Sequence, residues 1–335
     1  MEKPITNKTK YPPESAGRNM TESVPLVHLD DTVADVKKQL FEKINTFETI
    51  NYIYVVTKAN KLSGVFSIRK IFGVPDTIKI KEIMKAEVIK ARPYTDQERI
   101  AILALKNNLK SIPIVDKDEK FLGVVPSDSI LEILHAENIE DILKLGGIPK
   151  IDTFPKNLIK IPATALAGSR LPWLIFGLFG GILAAQIISF FETPLKAHFV
   201  LAAFIPLMVY IAGAVGTQTQ TLTVRNLAFD SEIPFKKYLL KEIEISFLIA
   251  FVLGILLSLI AVFWYQQPFY IGVILGISLF LTTITAIFIG FLVPYLFHQF
   301  KKDPALGSGP FVTIITDIVS LLIYFTVASL LLRIL

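Results

Sequence analysis

The stretch ISFLIAFVLGILLSLIAVFWYQQPFYIGVILGISLFLTTITAIFIGFLVPYLFHQF, residues 245–300, contains no Asp, Glu, Lys or Arg. A helix rises about 1.5 Å per residue, so roughly 20 apolar residues cross a ~30 Å hydrocarbon layer. The stretch is too long for one crossing. Near its middle lies Tyr265-Gln266-Gln267-Pro268, with Trp264 and Tyr270 at the flanks. Aromatic side chains favour the lipid–water interface, so the stretch reads as two membrane helices joined by a short hairpin. Working outward, the apolar runs 172–191 and 199–224 each fit one crossing, the second interrupted by Pro206 and several small residues, and 309–332 supplies a last one. Five crossings put the two ends of the chain on opposite sides of the bilayer.

Composition agrees. Of 335 residues, 52% are hydrophobic and only 19% charged, against about 25% charge in ordinary soluble domains; mean hydropathy is +0.55. The charges crowd into roughly the first 160 residues, so a soluble half is joined to a membrane half. The expected architecture is multidomain: an α/β soluble part followed by an all-α five-helix membrane domain. The absence of Cys excludes disulfides and Cys-ligated zinc or iron–sulfur sites. The net charge of +5 is modest and sits beside apolar segments, which reads as membrane topology and not as nucleic-acid binding. The beginning, MEKPITNKTK, has no apolar core and does not read as a signal peptide. His28, His135, His198 and His298 are dispersed without metal-ligand spacing, and no P-loop, Rossmann glycines or nucleophile–base pattern appears, so enzymatic chemistry is not expected.

Orientation follows from Lys and Arg in short loops. Arg225, Lys236, Lys237 and Lys241 follow the second crossing, and Lys301 and Lys302 follow the fourth. The loop after the first holds only Lys196, and the loop after the third holds none. The soluble half is therefore expected in the cytoplasm of a multi-pass plasma-membrane protein, with the C-terminus outside.

The soluble half carries an internal repeat. Ile53-Tyr54-Val55-Val56 precedes Gly64-Val65-Phe66-Ser67, and Ile112-Pro113-Ile114-Val115 precedes Gly123-Val124-Val125-Pro126 at the same distance. Each copy reads as strand, polar turn and strand, preceded by a helical pattern (33–44, 98–109) and followed by another (68–72, 127–134). This resembles a tandem pair of CBS domains, a pseudo-symmetric regulatory module. Many such pairs bind ATP or another adenine nucleotide through a Gly, two apolar residues, Ser/Thr, two residues, then Asp. Here the first copy has Ser67 but Lys70, and the second has Pro126 and Ser129 with Asp128 one position early. Ser67 and Asp128 are the nucleotide candidates, and a module that mainly dimerises is the alternative.

In the membrane half, Asp317 is the acid that stands well inside a crossing, about eight residues or roughly 12 Å from its start. Intramembrane acids are costly and line a pathway or find a partner; a tie to Arg225 or a hydroxyl is the bland alternative. Two carboxylates on the two-fold axis of a homodimer would suit a hydrated divalent cation. Pro206 frees a carbonyl. Gly213 and Gly216 let backbone approach an ion or, equally, a neighbouring helix. Thr217, Gln218, Thr219, Gln220, Thr221 and Thr223 make an unusually polar helix end suited to a wet pore mouth, and Thr282, Thr283 and Thr285 are weighed the same way. Glu137, Glu140 and Asp141 share one helix face, which is either solvated or awaits cations.

Tandem CBS domains followed by five crossings resemble the MgtE-type magnesium channels and transporters, homodimers of the membrane. Supporting segments are Tyr11-Pro12-Pro13-Glu14-Ser15-Ala16-Gly17-Arg18-Asn19-Met20, Thr49-Ile50-Asn51-Tyr52, Thr95-Asp96-Gln97-Glu98, Arg170-Leu171-Pro172-Trp173-Leu174, Asp303-Pro304-Ala305, and Ser308-Gly309-Pro310-Phe311-Val312-Thr313 with Asp317. The resemblance implies Mg2+ as cargo, with Asp317 in the pore and Pro206, Gly213, Ala214, Gly216, Gln218 and Thr313 along it. It also implies regulatory Mg2+ at Glu137, Glu140 and Asp141, beside a plug at about 154–169. Two departures stand out. The family carries an acidic superhelical domain before its CBS pair, whereas about ten residues precede Tyr11, so gating through that domain is expected to be missing or altered. The family's Gly-Gly-Asn-x-Gly-x-Gln is here Ala212-Gly213-Ala214-Val215-Gly216-Thr217-Gln218, so looser discrimination among divalent ions is expected. The expected organisation is a tail (1–20), two CBS copies (21–80, 81–142), a connecting plug region (143–170) and the membrane domain (171–335). The expected function is inward passage of divalent cations gated from the cytosol. The alternatives are a cation-coupled metal exporter on the same scaffold and a nucleotide-sensing membrane receptor.

Overall fold

The computed structural model describes residues 10–148, 159, 161–191, 198–229, 234–307 and 309–334. They fall into two compact units, Met1–Ile139 and Glu140–Leu335.

The first unit runs β1 (Leu26–His28), α1 (Val33–Lys43), β2 (Tyr52–Val56), β3 (Leu62–Ser67), α2 (Ile80–Ile83), α3 (Gln97–Lys106), β4 (Ser111–Val115), β5 (Phe121–Pro126) and α4 (Ser127–Leu145), whose last turns belong to the second unit. Sequence chemistry starts the helices. The Thr32 hydroxyl accepts from the Asp35 N–H at 3.3 Å while the Asp35 carboxylate accepts from the Thr32 N–H at 2.9 Å, a reciprocal cap. That exposed hydroxyl and backbone N–H hold the Asp35 carboxyl below its usual range. Asp96 caps α3 by accepting from the Glu98 N–H at 2.8 Å. Val33, Val36 and Leu40 then turn one face of α1 into the core of the first copy.

Both hairpins form as the repeat predicts, position for position. β2 pairs antiparallel with β3 and β4 with β5, and each ladder is irregular at the same place, between Val55 and Val56 and between Ile114 and Val115. Each turn has one left-handed residue, Asn60 (φ 58) and Glu119 (φ 66). Glu119 is fixed there by ion pairs with Lys90 and Arg92, which hold its carboxyl below the usual range.

Three features lay outside the sequence reading. β1 adds to β2 in parallel, and in the second copy only the single bridge Ala91↔Ile114 stands in its place. Residues 10–20 are no loose tail. Tyr11 and Ala16 are buried, Ala16 within the core of the second copy, and the Ala16 N–H donates to the Thr95 carbonyl at 2.8 Å. Thr21 and Val124 exchange backbone hydrogen bonds at 2.8 and 2.9 Å, so the strand leading into the first copy closes the second. Tyr54 of the first copy packs on Phe121 of the second and shares a 2.6 Å hydrogen bond with Ser111. The two copies therefore fold as one unit.

The second unit holds the end of α4 and five helices long and apolar enough to cross a membrane. These are α5 (Ala163–Phe190), α6 with α7 (Phe199–Ala203, Ile205–Phe229), α8 (Phe235–Leu259, continued by a π-helical turn Ile260–Trp264), α9 (Phe269–Gln299) and α10 (Pro310–Ile334). The hairpin expected at 265–268 separates α8 from α9. Central α9 packs on α7, α8 and α10, whereas α5 buries no residue and packs chiefly on α10. Glycines set the central crossings. A Cβ on Gly290 would sit 2.5 Å from the Gly216 carbonyl oxygen, and one on Gly254 would sit 2.8 Å from that of Gly276. α5 begins at Ala163, so Pro172 lies inside it and not at its start, and α4 runs on to Leu145. Of the plug expected at 154–169, residues 154–158 and 160 lie outside the described residues, and 163–169 are the first turns of α5.

Candidate functional site

Helix α10 begins where the chain turns at Gly309, which has φ +70 and faces the Leu145 carbonyl, so that a side chain there would collide with it. Pro310, without an N–H to satisfy, suits the first turn. One turn apart, Thr313 and Asp317 then lie on the same face of α10, and Thr217 and Thr221 share a face of α7 in the same way. These four side chains, with the buried Gln220, line a cavity of about 530 Å³ walled also by α5. The hydroxyls of Thr313 and Thr221 donate to the carbonyls of Gly309 and Thr217 at 3.2 and 2.9 Å. The half-buried Asp317 carboxylate has no hydrogen-bond or ion-pair partner among the described residues; only its backbone carbonyl accepts, from Ser320 at 2.8 Å. The tie to Arg225 is therefore not made.

The other candidates divide. Pro206, Gly213, Ala214, Thr217, Gln218 and Thr221 recur along the side of α7 that the rest of the unit leaves uncovered or partly covered. Of these only Thr217 and Thr221 line the cavity. Gly216 is buried against α9, where its backbone meets Gly290. Ala212 is fully buried. At the break before Pro206, the Leu201 carbonyl accepts from the buried Tyr324 hydroxyl at 2.7 Å, which ties it into the bundle. Thr282 and Thr283 are buried inside the unit away from the cavity, and Thr285 donates to the Leu281 carbonyl at 2.9 Å.

The acidic face of α4 is not left to solvent. Glu137 accepts from the Gln97 side chain at 2.6 Å within the first unit. Glu140 pairs with Lys144 one turn on, at 2.7 Å, and Lys144 also pairs with Asp303 in the loop before α10. Burial works against the Lys144 ammonium, yet hydrogen bonds to Asp303 and Glu140 hold its pKa above the ordinary lysine value. Burial pushes the Asp141 carboxyl up; Asp303 and Glu140 push the same way and Lys144 opposes them. Among the described residues no three acids or histidines converge on a point that could hold a metal ion. As they stand, Glu137, Glu140 and Asp141 do not fit the regulatory metal site that the resemblance implies.

In the first unit, Asp128 lines a polar cleft of about 310 Å³ with Thr49, Asn51 and Ser127, between residues of both copies; Ser67 is not part of it. Sequence reasoning missed two charged residues. Lys144 pairs with a residue far along the chain. Glu242 lies on α8, which begins at Phe235, ten residues before the run that signalled the crossing. It is 5% exposed and bonded to Tyr238, so Asp317 is not alone as a buried acid on a membrane helix.

Along nearly its whole length this chain resembles a curated protein, the magnesium transporter MgtE of Bacillus subtilis. The two are 35% identical over 322 residues, covering 95% of this chain and 70% of that one. The chain belongs to the MgtE family. The magnesium transporter MgtE of Thermus thermophilus is 34% identical over 326 residues, covering 97% of this chain and 71% of that one. The family profile described as MgtE, divalent cation transporter, matches residues 205–327, and the CBS profile matches 18–75 and 80–136. A crystal structure of the cytosolic domain of the Mg2+ channel MgtE in complex with ATP matches at 32% identity, with a TM-score of 0.37, over 38% of this chain and 51% of that one. The tandem CBS pair and the helical membrane domain of this MgtE-family chain are thus the two parts that the sequence separates.

Proposed function

We propose that this chain conducts divalent cations, Mg2+ first among them, into the cytoplasm, as a homodimer whose CBS pair controls the pore through α4. The carrying observation is the unpartnered Asp317 carboxylate in a cavity with Thr217, Gln220, Thr221 and Thr313, within a family described as divalent cation transporters. Mg2+ sheds water reluctantly and is held through one or two carboxylates while it keeps several waters. A cavity of about 530 Å³ has room for a hydrated ion, and hydroxyls and an amide suit its water shell. The relatives named magnesium transporters support the cargo.

Driving force needs no coupled ion: two charges moving through 100 mV gain roughly 4.6 kcal/mol. The basic residues after the second and fourth crossings support a cytoplasmic CBS half. The open side of α7, with Thr217, Gln218 and Thr221 exposed, supports a second copy across a two-fold axis. The nucleotide reading rests on Asp128 alone, at the start of α4. The test is metal uptake into liposomes holding only this protein, with Mg2+, Mn2+, Co2+ and Ca2+ compared under an imposed potential. Potential-driven uptake led by Mg2+ is expected. Flux that needs a proton or sodium gradient would instead indicate a coupled exporter, and nucleotide binding without flux a receptor.

A further inference from the structure

We propose that Lys144 is a built-in cation that takes, at the joint between α4 and the loop before α10, the place a free divalent ion would fill. The inference rests on the reading that α4 controls the pore.

At the joint the Lys144 ammonium pairs with two carboxylates, Glu140 and Asp303, and the Asp141 carboxylate lies close enough to feel the charge of all three. Lys144 and Glu140 keep only 14% and 15% of their side-chain surface exposed, so solvent screens this pair far less than a surface one. Asp303 has two tasks. One oxygen pairs with Lys144, and the other accepts from the Ala305 N–H at 2.8 Å, which shapes the turn leading to α10. A single lysine on α4 thereby pairs with Glu140 of its own helix and grips the loop that positions the helix of Asp317. A divalent ion bridging Glu140 to Asp303 would have to displace it. The tethered ammonium is present at every metal concentration, so Glu140 and Asp303 stay bridged without metal, and the metal dependence of gating is shallow. Removing the ammonium leaves acids that repel each other and can be reconciled by a free divalent ion.

The test counts Mn2+ bound per chain by the purified protein, alongside liposome flux with Mg2+ varied on the CBS side. Lys144→Gln is expected to bind one more Mn2+ per chain than wild type. Asp303→Asn added to Lys144→Gln should abolish the extra ion, and Lys144→Arg should bind as wild type does. The ratio of flux without Mg2+ to flux at saturating Mg2+ should rise at least about tenfold in Lys144→Gln; a ligand at a hundredfold excess over its dissociation constant shifts a gate by about a hundredfold. Asp303→Asn in the wild-type background decides the point whether or not Lys144→Gln folds. An unchanged Mn2+ count is expected, and loss of an ion would show that metal sits at the joint beside Lys144 and overturn the proposal. An unchanged count in a folded Lys144→Gln overturns it equally. Absence of flux from every form, wild type included, refutes the transport reading instead, while the Mn2+ counts still decide the role of Lys144.

Discussion

A carboxylate in an apolar bundle is costly unless something compensates it, and Asp317 has only the cavity in front of it. Asp317→Asn and Asp317→Ala should therefore abolish divalent flux in liposomes while leaving stability within about 1 kcal/mol of wild type, as befits a side chain that makes no bond. Flux at wild-type rates in both variants would take Asp317 off the path. Selectivity separates two neighbours that the sequence treated together. Ala212 is fully buried, whereas Ala214 lies on the open side of α7. Ala214→Asn alone should sharpen the preference for Mg2+ in competition flux, and Ala212→Gly alone should only cost about 0.5–1 kcal/mol of stability. Equal shifts from both would contradict this assignment. Asp317 was legible because it interrupts an otherwise uncharged run. Glu242 was not, because Lys236, Lys237 and Lys241 made its surroundings look like a loop, although long basic side chains at a helix end can reach the interface. Lys144 was half legible: its pair with Glu140 has the i, i+4 spacing of a helix face, but Asp303 is 159 positions away.

Short-range patterns carried most of the fold at the level of elements. The hairpins of the CBS pair and the paired α8 and α9 follow from alternation, turn residues and run length. What escaped depends on distant pairing: three-residue β1, the strap from Tyr11 to Thr21 that closes the second copy, and the early start of α5. One crossing is tight enough to test directly. Gly290 meets the Gly216 backbone, so Gly290→Val should force α7 and α9 apart and cost about 1–3 kcal/mol or more. Its melting temperature in detergent should fall clearly below that of Gly290→Ala. Thr32→Ala removes the cap of α1 and should cost about 1 kcal/mol, read by denaturant unfolding of the CBS half and without effect on the membrane helices.

For the whole molecule, the absence of native Cys makes single-cysteine variants clean reporters. Thr221→Cys, on the open side of α7, should form a linked dimer with a short bis-maleimide in membranes, and Leu222→Cys should form less. Linkage independent of position would argue against a two-fold axis along that side. Gln266→Cys, between α8 and α9, should react with an impermeant maleimide added outside cells, and Lys302→Cys only after permeabilisation. The reverse pattern would invert the orientation and the direction of uptake with it.

The first membrane helix rests on the last. At a synthesis rate of about 5–20 residues per second, α5 waits roughly 7–30 s between its own completion at Phe190 and that of α10 at Ile334. During that interval it sits in the bilayer without its partner, able to drift or to be captured by the insertion machinery. Biogenesis therefore ends with a long-range capture step, stacking Phe191 on Phe325 and Phe176 on Phe311. Chains arrested before residue 310 should leave α5 open to cross-linking by the insertase, and completed chains should not.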